Sequence, residues 1–426
     1  MRKIMLSLFL FYTGLLTTRA QQRSLDDYIV HALKFSPLII NNKNQQQLND
    51  EERLRLKAFY THSRLELNAD LLFVPIISRD NGKTTFLADA QSAERYTGYD
   101  LGQSSSHLLT GVDFVQPLTG ASLYKDESRR LQIDKDISEQ QIRLTGHDLG
   151  RQVTEQFLLC QLDMENQRSC QEIDSILARQ IAMVRTLATH GLTSPADIRL
   201  IEIERQSNQQ VQQAALQSYL THRGELNTLC GTADTTAIAP VHLEPSLPPA
   251  HTSAFLETYR LDSLKNEADY MHQRGLYRPQ LSFYANAGSQ TGPYKDFYKR
   301  WGVSAGLHLH WTLADGKQLK HQQREMQISQ ERTTLLRERD ETERKLRLAQ
   351  LEELRKSQDK QIDNSVQLIA QYRQLLSDYQ KEIMAGRRSV VDYVNAFKTF
   401  TAESHNLNTL KINKELLINT YNYWNW

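Results

Sequence analysis

The stretch Val303-Ser304-Ala305-Gly306-Leu307-His308-Leu309-His310-Trp311-Thr312-Leu313 alternates without a break. Val303, Ala305, Leu307, Leu309, Trp311 and Leu313 fall on one side, and Ser304, Gly306, His308, His310 and Thr312 on the other. Successive side chains of a β-strand point to opposite faces, so this period of two reads as a strand with one apolar and one polar face. Three other segments carry the same signature. Leu65, Leu67, Ala69, Leu71 and Phe73 alternate with Arg64, Glu66, Asn68 and Asp70. Leu281, Phe283, Ala285 and Ala287 alternate with Ser282, Tyr284 and Asn286, and a less regular fourth segment has Val112 and Phe114 flanking Asp113. Such strands suit a half-buried sheet in a soluble domain or a sheet between lipid and a wet lumen, and the alternation alone leaves both open.

The intervening chain tips the balance. Residues from about 121 to 190, and again from about 317 to 385, contain no proline and few glycines. Each run predicts a helix on the order of 100 Å long at about 1.5 Å per residue. Shorter helices are expected over about 196–229 and 389–422. Ile362, Ile369, Leu376 and Ile383 recur every seven residues, with Val366 as a helical neighbour, which is coiled-coil spacing. The apolar stripe is narrow, and Gln, Glu, Lys, Arg and Asn fill the remainder. That pattern suits a helix packed edgewise against neighbours, with water on its two other faces.

Lysine plus arginine, at 51, nearly equals aspartate plus glutamate, at 50, and the two signs interleave along the 426 residues. A nucleic-acid binder needs a basic face to displace counterions, so that class is disfavoured. Arg2 and Lys3 precede an apolar stretch from Ile4 to Leu16, and Thr18-Arg19-Ala20 offers a small-x-small cleavage site. Residues 1–20 therefore read as a secretory signal peptide. No later run is long and apolar enough for a transmembrane helix, whereas barrel strands keep the average hydropathy low. Cys160, Cys170 and Cys230 are too few for a disulfide scaffold. Cys160 and Cys230 lie about equally far from Pro195, so antiparallel helices would bring them to similar heights as a candidate disulfide. No phosphate-cradling loop and no metalloprotease His-Glu pair is present, so neither an enzyme nor a cofactor is expected.

The chain repeats itself. Residues 21–239 and 253–426 each read as an amphipathic helix, a strand, a loop, a second strand and two long helices joined by a glycine-marked turn, with a Pro-rich linker at 240–252. Strands are expected near 64–75, 108–118, 280–288 and 301–313. Four strands cannot close a barrel, because open edges leave backbone groups unsatisfied in hydrocarbon. The chain must pool strands with copies of itself, and three copies give about twelve. The fold class that follows is a mixed α/β membrane protein. It is internally duplicated, with four strands per chain to be pooled with copies of itself and long coiled-coil helices.

The two helix–helix turns read Thr189-His190-Gly191-Leu192-Thr193-Ser194-Pro195-Ala196-Asp197-Ile198 and Met384-Ala385-Gly386-Arg387-Arg388-Ser389-Val390-Val391-Asp392-Tyr393-Val394. Each has a glycine followed six residues later by aspartate. Together with Tyr277-Arg278-Pro279-Gln280-Leu281 before one strand and Gly111-Val112-Asp113-Phe114-Val115-Gln116-Pro117-Leu118 in another, these segments resemble the TolC-like outer membrane efflux proteins. The resemblance covers nearly the whole mature chain. It implies a homotrimer in contact with outer-membrane lipid, with a trimeric 12-stranded antiparallel β-barrel and a helical tunnel across the periplasm. It also implies that the turns at Gly191, Leu192 and Gly386 meet a periplasmic adaptor (membrane fusion) protein serving an inner-membrane RND or ABC transporter. The function implied is a passive exit duct of a tripartite efflux or type I secretion system. A structural or adhesive trimeric coiled-coil protein of the surface or periplasm is the rival reading, and it leaves the four strands without a role.

The resemblance places a lumen-facing acidic residue at Asp392, where three carboxylates on a threefold axis would attract cations. The plainer role for Asp392 is a helix N-terminal carboxylate favoured by the macrodipole. Asn395 stands where some relatives carry a second aspartate, which implies a weaker ring. Arg387, Arg388 and Asp197 flank the turns, and salt bridges such as Arg388–Asp197 are candidates for holding a tip shut. His308 and His310 share one strand face and are weak metal candidates, with polar lumen lining as the plainer alternative. Tyr421, Tyr423, Trp424 and Trp426 form an aromatic cluster that reads as an interface belt or, more simply, as helix packing. The polar segment 76–107 reads as a long outward-facing loop.

Overall fold

The computed structural model describes residues 23–71, 76–80, 82–87, 108–247, 253–291, 294–299 and 301–426. The expected signal peptide, most of the outward loop (88–107) and the end of the linker (248–252) lie outside the described residues. In chain order the elements are α1 (Leu25–Phe35), α2 (Pro37–Thr61), β1 (Arg64–Leu71), β2 (Ile76–Asp80), β3 (Lys83–Leu87), β4 (Leu108–Pro117), α3 (Gly120–Thr189) and α4 (Pro195–Cys230). There follow α5 (Ala254–Leu276), β5 (Gln280–Thr291), a 3-10 turn (Tyr294–Lys299), β6 (Trp301–His310), α6 (Gln318–Met384) and α7 (Val390–Trp424). Two compact units result, and each draws on both sequence halves. One takes in the chain up to Lys43, Gln140–Glu257 and Glu338–Trp426, and the other Asn44–Glu139 and Thr258–Arg337.

In the first unit the helices close on an apolar seam. Ile173, Leu177, Ile181 and Val184 of α3 meet Ile201 of α4, Ile369, Leu376 and Ile383 of α6, and Val390, Tyr393, Val394, Phe397 and Phe400 of α7. Each such side chain, fully buried, contributes roughly 1.5–3 kcal/mol. The heptad residues Ile369, Leu376 and Ile383 are in this core, but Val366 is 47% exposed. A seam steps alternately three and four residues, so the position between Ile362 and Ile369 falls to Ser365, which is buried. Tyr372 and Tyr379 continue that row.

A second cluster in the same unit holds Tyr28, Ala32, Val153, Phe157, Cys160, Leu226, Cys230 and Ile238. Cys160 and Cys230 share it, yet they are not joined: all three cysteines are free thiols. Burial pushes the Cys160 thiol up to about 12 and the Cys230 thiol up to about 11. That suppresses the thiolate through which disulfides form. Cys230 Sγ instead donates to the Tyr28 carbonyl at 3.4 Å.

Side chains of α7 strap the linker down. Glu415 accepts from the Leu243 amide at 2.8 Å and meets His242 Nδ1 at 2.5 Å. Asn422 accepts from the Ser246 amide at 2.7 Å. The aromatic cluster packs within the unit too: the His147 ring is stacked on Trp426 at 4.0 Å and on Tyr423 at 4.9 Å between centroids. His147 Nε2 lies 3.0 Å from the Tyr423 carbonyl, so that nitrogen carries the proton.

The second unit contains a four-stranded sheet in the order β1-β4-β5-β6, antiparallel throughout. The segment at 76–107 corrects the reading as a plain loop, because β2 and β3 pair as a hairpin from Ile76↔Leu87 to Asp80↔Lys83. Gly82 lies at its tip at φ +78°, the left-handed backbone that a tight hairpin turn asks of glycine. Among the described residues no strand pairs with the outer edge of β1 or of β6. No described helix is long and apolar enough to cross a membrane.

Candidate functional site: the two helix turns and the sheet faces

The turn between α3 and α4 and the turn between α6 and α7 are built alike. Gly191 lies at φ +73° and Gly386 at φ +69°, the left-handed region that a Cβ disfavours. The Gly191 amide donates to Ala188 and the Leu192 amide to Leu187, each at 3.0 Å. The Gly386 amide donates to Ile383 at 3.0 Å and the Arg387 amide to Glu382 at 2.9 Å. Both are Schellman closures, which satisfy the last carbonyls of a helix before the chain reverses. A serine then caps each returning helix: Ser194 accepts from the Ala196 amide and Ser389 from the Val391 amide.

The two aspartates that follow do different things. Asp197 completes a capping box, accepting from the Ser194 amide at 2.9 Å. Asp392 instead faces Arg388 Nη1 at 3.5 Å. Arg388 is also held by Glu382, with Nε donating at 2.8 Å, and its guanidinium lies 4.3 Å from the Tyr379 ring centroid. The Arg388–Asp197 pairing considered from the sequence is therefore not the arrangement within one chain. Arg388 closes on its own hairpin because Glu382 lies one helical turn before the glycine and faces the same side. Nothing in the sequence marked Glu382 or Tyr379. Asp392 remains about half exposed, and Arg387, Asn395 and Leu192 are exposed. The neighbouring helix pair is stapled by a two-pronged Arg205–Asp174 contact at 2.8 and 2.9 Å. Arg205 holds the Asp174 carboxyl below its ordinary value.

The sheet sorts its side chains by register. Leu65 lies opposite Phe114, which lies opposite Ala285 and then Ala305, while Leu67, Val112, Ala287 and Val303 form the next row. This apolar face is bare: Leu65 is 72% exposed and Val303 85%. The opposite face carries Glu66, Asp113, Asn286 and Ser304 in one row, and Asp113 accepts from both Asn68 and Asn286. His308 and His310 lie on this polar face, exposed, opposite Ser282 and Gln280. Among the described residues no three His, Cys, Asp or Glu side chains gather as a metal site.

An antiparallel four-stranded sheet carried with two hairpins of long helices is the fold of the TolC-like outer-membrane channels, in agreement with the resemblance read from the sequence. Solved structures give the comparison directly. CusC, described as a transmembrane channel, superposes with a TM-score of 0.70 at 14% identity, over 95% of this chain and 92% of its own. The outer membrane protein VceC of Vibrio cholerae gives 0.68 at 12% identity, over 93% of this chain and 95% of its own. The MtrE outer membrane channel of Neisseria gonorrhoeae, solved in its open state, gives 0.66 at 12% identity, over 94% and 88%. Identities this low establish a shared fold. No protein-family model and no curated protein matches the sequence.

Proposed function

We propose that three copies of this chain form an outer-membrane exit duct that extends into the periplasm and passes cargo without an energy source of its own. One observation carries the reading: an open four-stranded sheet with one face apolar and bare and the other polar. Water penalises the bare apolar face, and hydrocarbon penalises the two unpaired edges. Pooling the strands of three copies into a twelve-stranded barrel answers both, with Leu65 and Val303 toward lipid and Asp113 and His308 toward the lumen. The solved proteins of this fold are described as outer membrane channels, which supports the same reading.

In that assembly the turns at Gly191, Leu192 and Gly386 dock a periplasmic adaptor serving an inner-membrane RND or ABC pump. Asp392 supplies a ring of three carboxylates at the constriction, with Asn395 beside it as a neutral lining. Arg387 and Arg388 set the charge around it. The test is the mass of the protein extracted by mild detergent from isolated outer membranes. Three protomers are expected. A monomer, or release without detergent, would overturn the proposal.

A further inference from the structure

The duplicated halves carry a register beyond the one chain. Gly111, Gly191, Ser194 and Asp197 recur at one constant spacing as Gly306, Gly386, Ser389 and Asp392, so β4 corresponds to β6. Leu65, Leu67 and Ala69 recur at a second constant spacing as Leu281, Phe283 and Ala285, so β1 corresponds to β5. The structure tests this correspondence independently. Arg64 pairs with Val115 in the first half, and their counterparts Gln280 and His310 pair in the second. The two pairings share one register.

The chain also displays the joint between one half and the next, which is β4 against β5. There Phe114 lies opposite Ala285, Asp113 opposite Asn286 and Val115 opposite Tyr284. At this joint β4 runs on past its last partner in β1: Gln116 and Pro117 pair with Phe283 and Ser282, and the Leu118 amide donates to Leu281 at 2.8 Å. The counterparts of these two strands are β6 and β1, whose outer edges have no partner among the described residues.

We propose that a second copy of this chain lays its β1 on β6 in the register of the β4–β5 joint. Leu309 then faces Ala69 of the neighbouring copy, His308 faces Asp70 of the neighbouring copy, and His310 faces Asn68 of the neighbouring copy. Trp311, Thr312 and Leu313 face Leu67, Glu66 and Leu65 of the neighbouring copy. This deepens the reading of the chain as one of three copies and rests on it.

Two observations favour this register. Every apolar residue meets an apolar one and every polar residue a polar one, whereas a slip of one residue would turn the whole strand over. The alternation also continues through Trp311 and Leu313, although β6 stops at His310, where β5 supplies its last partner. Trp311 is 54% and Leu313 79% exposed in the single chain. They become strand residues once the neighbouring β1 pairs with them, as Gln116 and Pro117 do against β5. His308 takes the place of Asp113 at the joint, so the seam gains a histidine–aspartate pair on the polar face.

The test uses full-length trimer in detergent with cysteine pairs L309C/A69C and H308C/D70C. Adjacent positions of an antiparallel ladder alternate between close and wider pairs, so one of the two brings its Cβ atoms close enough to bond. Covalent dimers and trimers that collapse to protomers with reductant are expected for at least one. L309C/L67C and L309C/L71C, displaced by two residues, are expected to stay as protomers. Cross-linking in a displaced pair instead overturns the register while leaving the trimer intact; a monomeric particle overturns the assembly itself. Hydrogen exchange on the unaltered trimer decides the point without variants. Protected amides at Trp311 and Leu313, the alternate positions that face the neighbouring strand, are expected, and exchange of both at the rate of an open segment would overturn the proposal.

Discussion

Arg388 Nε donates to Glu382 Oε2 at 2.8 Å, reaching back across Gly386 to the helix that the chain has just left. The same guanidinium touches Asp392 on the outgoing helix at 3.5 Å. One cation thus spans the reversal and stands between the candidate constriction carboxylate and its own hairpin. Its two carboxylate partners are each nearly half exposed, so solvent screens the pairing and it adds little to stability. Its consequence is positional.

Replacing Arg388 with alanine is therefore expected to leave the melting temperature nearly unchanged and to raise single-channel conductance in planar bilayers. Asp392→Ala is expected to lower cation preference in the same recordings. Conductance and selectivity unchanged in both variants would remove the pair from any gate.

The turns themselves are a matter of backbone. Gly386→Ala places a Cβ at φ +69°, which costs about 1–2 kcal/mol, and Gly191→Ala at φ +73° is expected to cost the same. Open space surrounds both glycines, so the penalty is conformational and not a clash. Urea denaturation of each variant measures it. Loss of adaptor binding with unchanged stability would instead make the glycines recognition elements.

His147 gives the fold a pH dependence. Burial holds its pKa below the ordinary histidine value. The unfolded chain therefore takes up the proton first as pH falls below about 6.5, so stability is full above that value and declines until the lowered folded pKa is reached. Thermal melts at pH 5 and pH 7.5 are expected to differ. His147→Phe, which keeps an aromatic ring against Tyr423 and Trp426 but cannot titrate, should shrink the gap. An equal gap in the variant would assign the effect elsewhere.

The three thiols are expected to ignore both oxidant and label in the native protein. Cys160, Cys170 and Cys230 are buried, and burial raises all three pKa values. Alkylation at pH 8 should modify none of them until denaturant is added, and reductant should leave the melting temperature unchanged. A reductant-sensitive melting temperature would point to a bond between Cys160 and Cys230.

The sheet was legible from alternation because strand side chains obey a period of two wherever the strand goes. The hairpin of β2 and β3 went unread although Asn81-Gly82 marked it, since its flanks looked polar and turn-rich. Val366 was misplaced by taking a four-residue step where the seam takes three. The glycine turns were readable because positive φ selects glycine locally. The partners of Arg388 were not, because Glu382 and Tyr379 differ from dozens of similar residues on α6 only in which way they face.

The sequence by itself determined the four strands, the long helices, the turns at Gly191 and Gly386 and the duplication, all properties of short-range periodicity and backbone preference. Only the tertiary structure decided the strand order β1-β4-β5-β6, the free state of Cys160 and Cys230, the strap of Glu415 on the linker and the binding of Arg388 to its own hairpin. Those facts depend on which surfaces meet across hundreds of residues. A pattern along the chain records the face a residue presents, not the residue it will touch.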